Sequence, residues 1–406
     1  MSRWKECKLS DLGEIVGGGT PSTKNESYYG GHIAWITPKD LSTLRGRFIS
    51  RGERNITIEG LKNSAARLLP PNSILFTSRA PIGYVAIAKN EVCTNQGFKS
   101  IVPNENADYL FLYYLLVYNR KRIENMGSGT TFKEVSGSVM KEITVSVPTD
   151  IEEQRAIARI LGSLDDKIEN NNAINQRLEQ IAQSIFKSWF VDFEPFGGEM
   201  PSDWQEGTIS DLGEVVGGST PSKGKSEYYT HQGIAWITPK DLSVQNRKFI
   251  SCGAIDITEH GLRNSSAKLM PRCTVLFSSR APIGYIAVAC NELCTNQGFK
   301  SVVPKKNVGT AYVYYFLLEN LQTIENMASG STFKEVSGST MKNIPAIIPD
   351  EETLRRFQET CNGIFEMQEL LEKENTHLAA LRDTLLPRLM SGELLVADLK
   401  ANHLTT

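Results

Sequence analysis

The sequence predicts a mixed α+β (α/β) chain: two similar globular domains separated by two long antiparallel coiled-coil helices, in a pseudo-two-fold arrangement. Three observations predict it. The ten residues Ile33-Ala-Trp-Ile-Thr-Pro-Lys-Asp-Leu-Ser42 return unchanged as Ile234-Ala-Trp-Ile-Thr-Pro-Lys-Asp-Leu-Ser243, which marks a tandem repeat of two long units. Inside each unit, short apolar runs bounded by Pro and Gly read as strands, and one longer apolar run reads as a buried helix. After each unit comes a stretch whose apolar residues recur on a heptad, the pattern of a coiled-coil seam.

In chain order, the first unit runs from Trp4 to about Pro148 and its partner from Trp204 to about Pro349. Residues 1–148 and 201–349 are therefore expected to be the two globules, and residues 149–200 and 350–406 the helical connectors. A one-residue insertion near His231 moves the offset between copies from 200 to 201. Ser73-Ile-Leu-Phe-Thr77 and Tyr84-Val-Ala-Ile-Ala88 read as strands. The run from Tyr109 reads as a helix ending near Met126-Gly127. Pro148 then precedes Thr149-x-x-Glu152, which has the form of a capping box. In the first connector Ile157, Leu164, Leu178 and Ile185, with Asn171 in register, form one seam position, and Ile160, Ile174 and Ile181 the other. In the second, Phe357, Ile364, Leu371, Leu378 and Leu385 form the seam beside Met367 and Leu381. Pro387 should kink its end and Gly392 should stop it. A helix over 151–188 would be roughly 57 Å long. Two such helices pair most economically with each other, antiparallel, and a polar Asn171 at the core is one way to fix register.

Charge is distributed along the same divisions. The chain carries a net −2, yet residues 1–150 carry +5, 151–200 carry −4, 201–349 carry +2 and 350–406 carry −5. A polyanion would therefore meet the globules and not the connectors. No apolar run reaches the roughly 18 residues of a membrane span, and the N-terminus lacks the apolar stretch of a signal peptide. Seven scattered cysteines suggest reduced thiols and a cytoplasmic protein. Cys290 and Cys294, the closest pair, have no matching His/Cys cluster and read as packing residues rather than metal ligands.

No catalytic signature stands out. The glycine-rich Gly17-Gly-Gly-Thr-Pro-Ser-Thr-Lys24 does not fit a phosphate-binding loop, and no nucleophile elbow or zinc-protease motif occurs. There is no Asn-Pro-Pro-aromatic or Asp-Pro-Pro-aromatic segment of the kind amino-methyltransferases use. What recurs is a set of polar loops, each supplied twice: Thr-Pro-Lys-Asp, Ser-Arg-Ala-Pro-Ile-Gly, Thr-Asn-Gln-Gly-Phe-Lys and Thr-Phe-Lys-Glu. Arg and Lys suit guanine edges and phosphates, Asn and Gln suit adenine edges. The candidate DNA-binding residues are thus Lys39, Arg79, Asn95, Gln96, Lys99 and Lys133 in the first copy. Lys240, Arg280, Asn296, Gln297, Lys300 and Lys334 are their counterparts in the second. Pro38, Gly83 and Gly97 read instead as turn residues, and an Arg before Ala-Pro equally suits holding a buried carboxylate.

Several segments resemble the specificity (S) subunit of type I restriction–modification systems, across essentially the whole chain. They are Gly17-Gly-Gly-Thr-Pro21, Trp35-Ile-Thr-Pro-Lys-Asp40, Ser78-Arg-Ala-Pro-Ile-Gly83, Thr94-Asn-Gln-Gly-Phe-Lys99 and Gly129-Thr-Thr-Phe-Lys133. In the connectors they are Glu153-Gln-Arg-Ala-Ile-Ala158 and Leu385-Leu-Pro-Arg-Leu-Met-Ser-Gly-Glu393. The resemblance implies two target recognition domains reading the halves of a split double-stranded DNA sequence, and two helical spacers that dock partners. It implies a subunit with no catalysis and no cofactor of its own. Adenine methylation with S-adenosylmethionine would belong to modification (M) subunits, and ATP- and Mg²⁺-dependent translocation and cleavage to restriction (R) subunits. Because the two copies are close, similar half-sites on opposite strands are expected, hence a nearly palindromic target with an unspecified spacer. Differences at Arg45-Gly46 against Asn246-Arg247, at Arg51 against Cys252 and at Lys24-Asn25 against Gly224-Lys225 would make the halves differ by a base or two. The competing readings are a stand-alone DNA-binding protein and a carbohydrate- or protein-binding scaffold.

Overall fold

The structure, a computed structural model, describes residues 4–129, 133–245, 247–330 and 334–397. It divides into two compact units: Met1–Asn170 with Asn375–Thr406, and Asn171–Glu374. Among the described residues there are four helices of ten or more residues: α1 (Tyr109–Asn125), α2 (Ile151–Phe190), α3 (Thr310–Glu319) and α4 (Glu351–Met390).

Unit 1 is built on a five-stranded sheet in the order Gly13–Gly17, Lys99–Pro103, Ile74–Phe76, Val85–Ala88, Phe48–Ile49. Its pairings are antiparallel except the last, which is parallel. The central strand shows why a wholly apolar run forms here. Successive side chains of a strand point to opposite faces. Ile74 and Phe76 pack with α1 residues Phe111 and Leu115, while Leu75 packs on the other face with Ile36, Leu41 and Phe98. All three are fully buried. A three-stranded sheet, Arg54–Ile56, Tyr29–Ile36, Cys93–Thr94, lies beside it. An antiparallel pair, Trp4–Lys8 with Thr144–Pro148, joins the ends of the globule.

Unit 2 repeats the plan. Its five-stranded sheet runs Gly213–Gly217, Lys300–Pro304, Val275–Ser279, Ile283–Ala289, Phe249–Ile250. Val275 and Phe277 face α3, and Leu276 faces Ile237, Leu242 and Phe299. Gln205–Thr208 pairs with Pro345–Ile348.

Both long helices start on an aspartate. The Asp150 carboxylate accepts the Glu152 N–H at 3.0 Å, and Asp350 accepts the Thr353 N–H at 2.9 Å. The capping oxygen thus comes one residue after Thr149, where the sequence suggested it. A carboxylate at a helix N-terminus also meets the positive end of the macrodipole. Pro387 lies inside α4 near its C-terminal end, and Gly392 takes φ +74 just beyond the helix.

Within each unit the helix segments run antiparallel. In unit 1, Asp165 on α2 pairs with Arg382 on α4 at 2.6 Å, and Ile157, Ala158 and Leu161 share a core with Leu389 and Met390. In unit 2, the Asn171 amide donates to Glu374 at 2.7 Å and the Gln368 amide to Glu179 at 3.1 Å. The heptad reading needs one correction: Ile181, Met367 and Leu381 are exposed. Each helix meets a globule as well as the other helix. Its buried stripe (Gln154, Ile157, Ala158, Leu161 and Asp165 on α2) follows the 3.6-residue helix period, not a strict heptad.

One buried cation in each globule meets the helices. Arg47, with its side chain 4% exposed, donates its Nε to Glu169 at 3.0 Å and also pairs with Asp166. Its counterpart Lys248 places Nζ 2.8 Å from Glu179, 2.9 Å from the Tyr315 hydroxyl and 3.0 Å from Gln368 Oε1. The ammonium also sits 3.7 Å from the centre of the Phe365 ring. Burial is the main influence on that amine and pushes it down to about 8, although Glu179 favours its charged form.

Candidate nucleic-acid interface

The Thr-Pro-Lys-Asp motif starts a short helix, Pro38–Ser42. Proline suits the first helical position because it has no N–H to satisfy there. Asp40 Oδ2 accepts the Thr37 N–H at 2.7 Å and the Thr37 hydroxyl at 2.6 Å. The duplicated Ile-Ala-Trp-Ile before it is the buried end of a strand. Lys39 projects outward, and its Nζ lies 2.6 Å from Glu53.

The other repeated loops meet this one. Asn95 N–H donates to the Ile36 carbonyl at 3.0 Å and Ser78 N–H to the Gly97 carbonyl at 2.8 Å. Val135 N–H donates to the Ser78 carbonyl at 3.0 Å. The Gly-Gly-Gly-Thr-Pro segment joins through Gly19 N–H to the Thr94 carbonyl, 2.8 Å, and through Trp35 Nε1–H to the Gly19 carbonyl, 3.0 Å. Gly18 is required here because an added Cβ would stand 2.0 Å from the Asn95 carbonyl oxygen. Five motifs scattered over more than a hundred residues thus converge on one surface of unit 1.

Within that surface the candidates divide by role. Arg79 and Lys99 both reach Glu134, at 3.7 Å and 3.1 Å, and all three are half-buried. Asn95 Oδ1 accepts the Gly97 N–H at 2.9 Å, so the acceptor end of its amide holds the turn. Gln96 is exposed and accepts the Thr20 hydroxyl through Oε1, leaving its NH₂ group outward-facing chemistry to offer. Lys133 is exposed. The residues before it in the motif, Thr131 and Phe132, lie outside the described residues, as do Thr332, Phe333 and Asn246.

Unit 2 reproduces the arrangement. Ser279 N–H donates to the Gly298 carbonyl at 2.7 Å, Val336 N–H to Ser279 at 3.0 Å and Asn296 N–H to Ile237 at 3.0 Å. Arg280 and Lys300 reach Glu335 at 3.2 Å and 3.3 Å. Asn296 Oδ1 accepts the Gly298 N–H, and Gln297 accepts the Thr220 hydroxyl. Lys240 and Lys334 are exposed. Lys240 differs from Lys39 in one respect: Ala254 stands where Glu53 does.

Glu134 and Glu335 are the organising residues that a search for cations misses. Their signal is the last letter of the Thr-Phe-Lys-Glu motif, repeated intact in both copies. Each surface combines two tethered cations, exposed lysines and an outward amide, a set suited to phosphates and base edges. Among the described residues no group of three or more His, Cys, Asp or Glu is placed to hold a metal. No helix among them is long and apolar enough to cross a membrane.

Comparison with known proteins agrees with a duplicated reader. The type I restriction enzyme MjaIX specificity subunit of Methanocaldococcus jannaschii is 35% identical, covering 98% of this chain and 94% of its own. The type I restriction enzyme HindI specificity subunit of Haemophilus influenzae is 28% identical, covering 97% of this chain and 100% of its own. A crystal structure of the type I restriction–modification S subunit of M. genitalium shares the fold, with a TM-score of 0.62 at 18% identity over 96% of both chains. The family model described as type I restriction modification DNA specificity domain matches residues 1–180 and again 201–374. The chain belongs to the type I restriction–modification DNA specificity family.

Proposed function

We propose that this chain is the non-catalytic subunit that reads DNA for a type I restriction–modification assembly. Its two loop surfaces would each bind one half of a bipartite target. The observation that carries this is the convergence of the repeated motifs, in each unit, onto one surface bearing the same cations and amides. Because those residues are the same in both copies, the two half-sites should be alike and the whole target nearly palindromic.

The chemistry would belong to partners: M subunits methylating adenine with S-adenosylmethionine, and R subunits using ATP and Mg²⁺. Support for docking comes from the long helices, which leave Ile181, Met367, Leu370 and Leu381 exposed. Exposed large apolar side chains on two acidic helices are a surface suited to protein partners.

The test is co-purification of the full chain with the adenine methyltransferase encoded beside it, followed by DNA binding across a salt series. Stable association, with weak binding by the chain alone and tighter binding by the complex, is expected. Steep loss of affinity with salt should accompany it, because cations displace counterions from the phosphates. A chain that binds no methyltransferase but binds a specific duplex tightly by itself is a stand-alone DNA-binding protein.

A further inference from the structure

The two units share their converging loops but differ in the short helix beside them. In unit 1 the helix Pro38–Ser42 ends at Thr43, its C-cap, and Leu44 packs against the core. In unit 2 the equivalent helix is two residues longer, Pro239–Gln245. Gln245 replaces Leu44, and its amide donates to the Cys252 carbonyl at 2.8 Å. A leucine there gains by turning inward. A glutamine stays at the surface and clips the helix to the neighbouring loop. Val244 stands 74% exposed in the place of Thr43, which is exposed as well.

The neighbouring loop has changed in the same direction. Unit 1 carries Arg51, Glu53 and Arg54, and unit 2 carries Cys252, Ala254 and Ile255. Arg51, Cys252 and Ala254 are all exposed. A lone exposed valine is ordinary. Here three exposed positions of one patch, Thr43/Val244, Arg51/Cys252 and Glu53/Ala254, shift together from charged or hydroxylated side chains to apolar ones, while Ile255 packs against Trp236 and Ile257. Both patches are fixed to the loop surface by the same contacts. Asp40 Oδ1 accepts the Glu53 N–H at 2.7 Å, and Asp241 Oδ1 accepts the Ala254 N–H at 2.9 Å. Pro38 and Pro239 lie against Gly97 and Gly298, where an added Cβ would meet each proline Cγ at 3.1 Å.

We infer that this patch is where the two units read different bases, an assignment that rests on the DNA-reading surface proposed above. In unit 2, Val244 and Cys252 receive the 5-methyl group of a thymine. In unit 1, Arg51 addresses the O6 and N7 acceptors of a guanine at the equivalent step. The major groove distinguishes these two pairs by that methyl and those acceptors. The loops shared between the units read what the half-sites have in common.

The experiment is selection of duplexes from a randomised pool by the full chain co-purified with its adenine methyltransferase, with the wild type and with V244T/C252R, which gives unit 2 the first unit's residues at two exposed positions. The wild type should select half-sites that differ at a base pair, thymine facing unit 2 and guanine facing unit 1. The double variant should reverse that thymine preference by roughly tenfold or more and make the halves match, the usual scale of a lost base contact. A second measurement needs no variant. Cys252 and Cys273 are both exposed, but Cys273 precedes the strand Val275–Ser279 while Arg280 of the loop surface follows it. The selected duplex should slow alkylation of Cys252 and leave Cys273 unaffected. An unchanged motif in the variant, or equal alkylation of Cys252 with and without DNA, overturns the assignment while a bipartite wild-type motif leaves the DNA-reading function standing. A wild type that enriches no sequence overturns both.

Discussion

Glu134 decides what Arg79 and Lys99 can do. Two half-buried cations share one carboxylate, and ion pairs this exposed contribute no more than about 1 kcal/mol. If this surface meets DNA as proposed, a phosphate would displace Glu134 at little cost, with the cations already aimed. R79A should weaken binding to any duplex and make the salt slope shallower by about one unit. E134Q should strengthen binding at low salt and steepen the slope, since two cations lose their counter-charge. Fluorescence anisotropy over a salt series reads both, and identical slopes for the two variants would contradict a role for Glu134 in holding these cations. The cations and amides were legible in the sequence because they recur in both copies. The sequence suggests that an Arg before Ala-Pro holds a carboxylate, but nothing local shows that residue 134 meets residues 79 and 99.

At the scale of elements, Arg47 and Lys248 fix each globule to its helix segments by different physics. Arg47 uses a planar guanidinium and two carboxylates, Asp166 and Glu169, that keep partial contact with water. Removing one partner of a buried pair is costly, so R47A should destabilise the fold by about 3 kcal/mol in urea unfolding, the low end because both carboxylates can resolvate. A change below about 1 kcal/mol would show the pair to be dispensable. Lys248 is enclosed by Phe365, Tyr314 and Tyr315, and its amine is pushed down to about 8. The folded chain then binds fewer protons than the unfolded one between about pH 8 and the ordinary lysine value. Stability from this group rises with pH across that window and is lost as pH falls through 8. The stability of the wild type relative to K248M should therefore increase from about pH 7.5 to 9.5, and a pH-independent difference would contradict it. These contacts were hidden in the sequence, as were the exposed Ile181, Met367 and Leu381. A heptad count assumes one partner for a helix, whereas α2 and α4 each bury side chains against a globule too. The strands at Ile74–Phe76 and Val85–Ala88 were legible because Pro and Gly bracket short apolar runs.

For the whole molecule, duplication is the informative feature. The repeated Ile33–Ser42 stretch contributes buried strand and helix cap more than exposed surface, yet it establishes that one chain carries two copies of the same domain. Relatives named as specificity subunits cover nearly all of the chain, in agreement with the family resemblance of the motifs. The central claim is that these two readers give the DNA target its form. It is tested most directly by sequencing methylated adenines in the genome of a host carrying this chain with its proposed methyltransferase partner. The account predicts one bipartite motif whose halves are reverse complements apart from a base pair or two, separated by an unspecified spacer. A motif whose two halves are unrelated would contradict it.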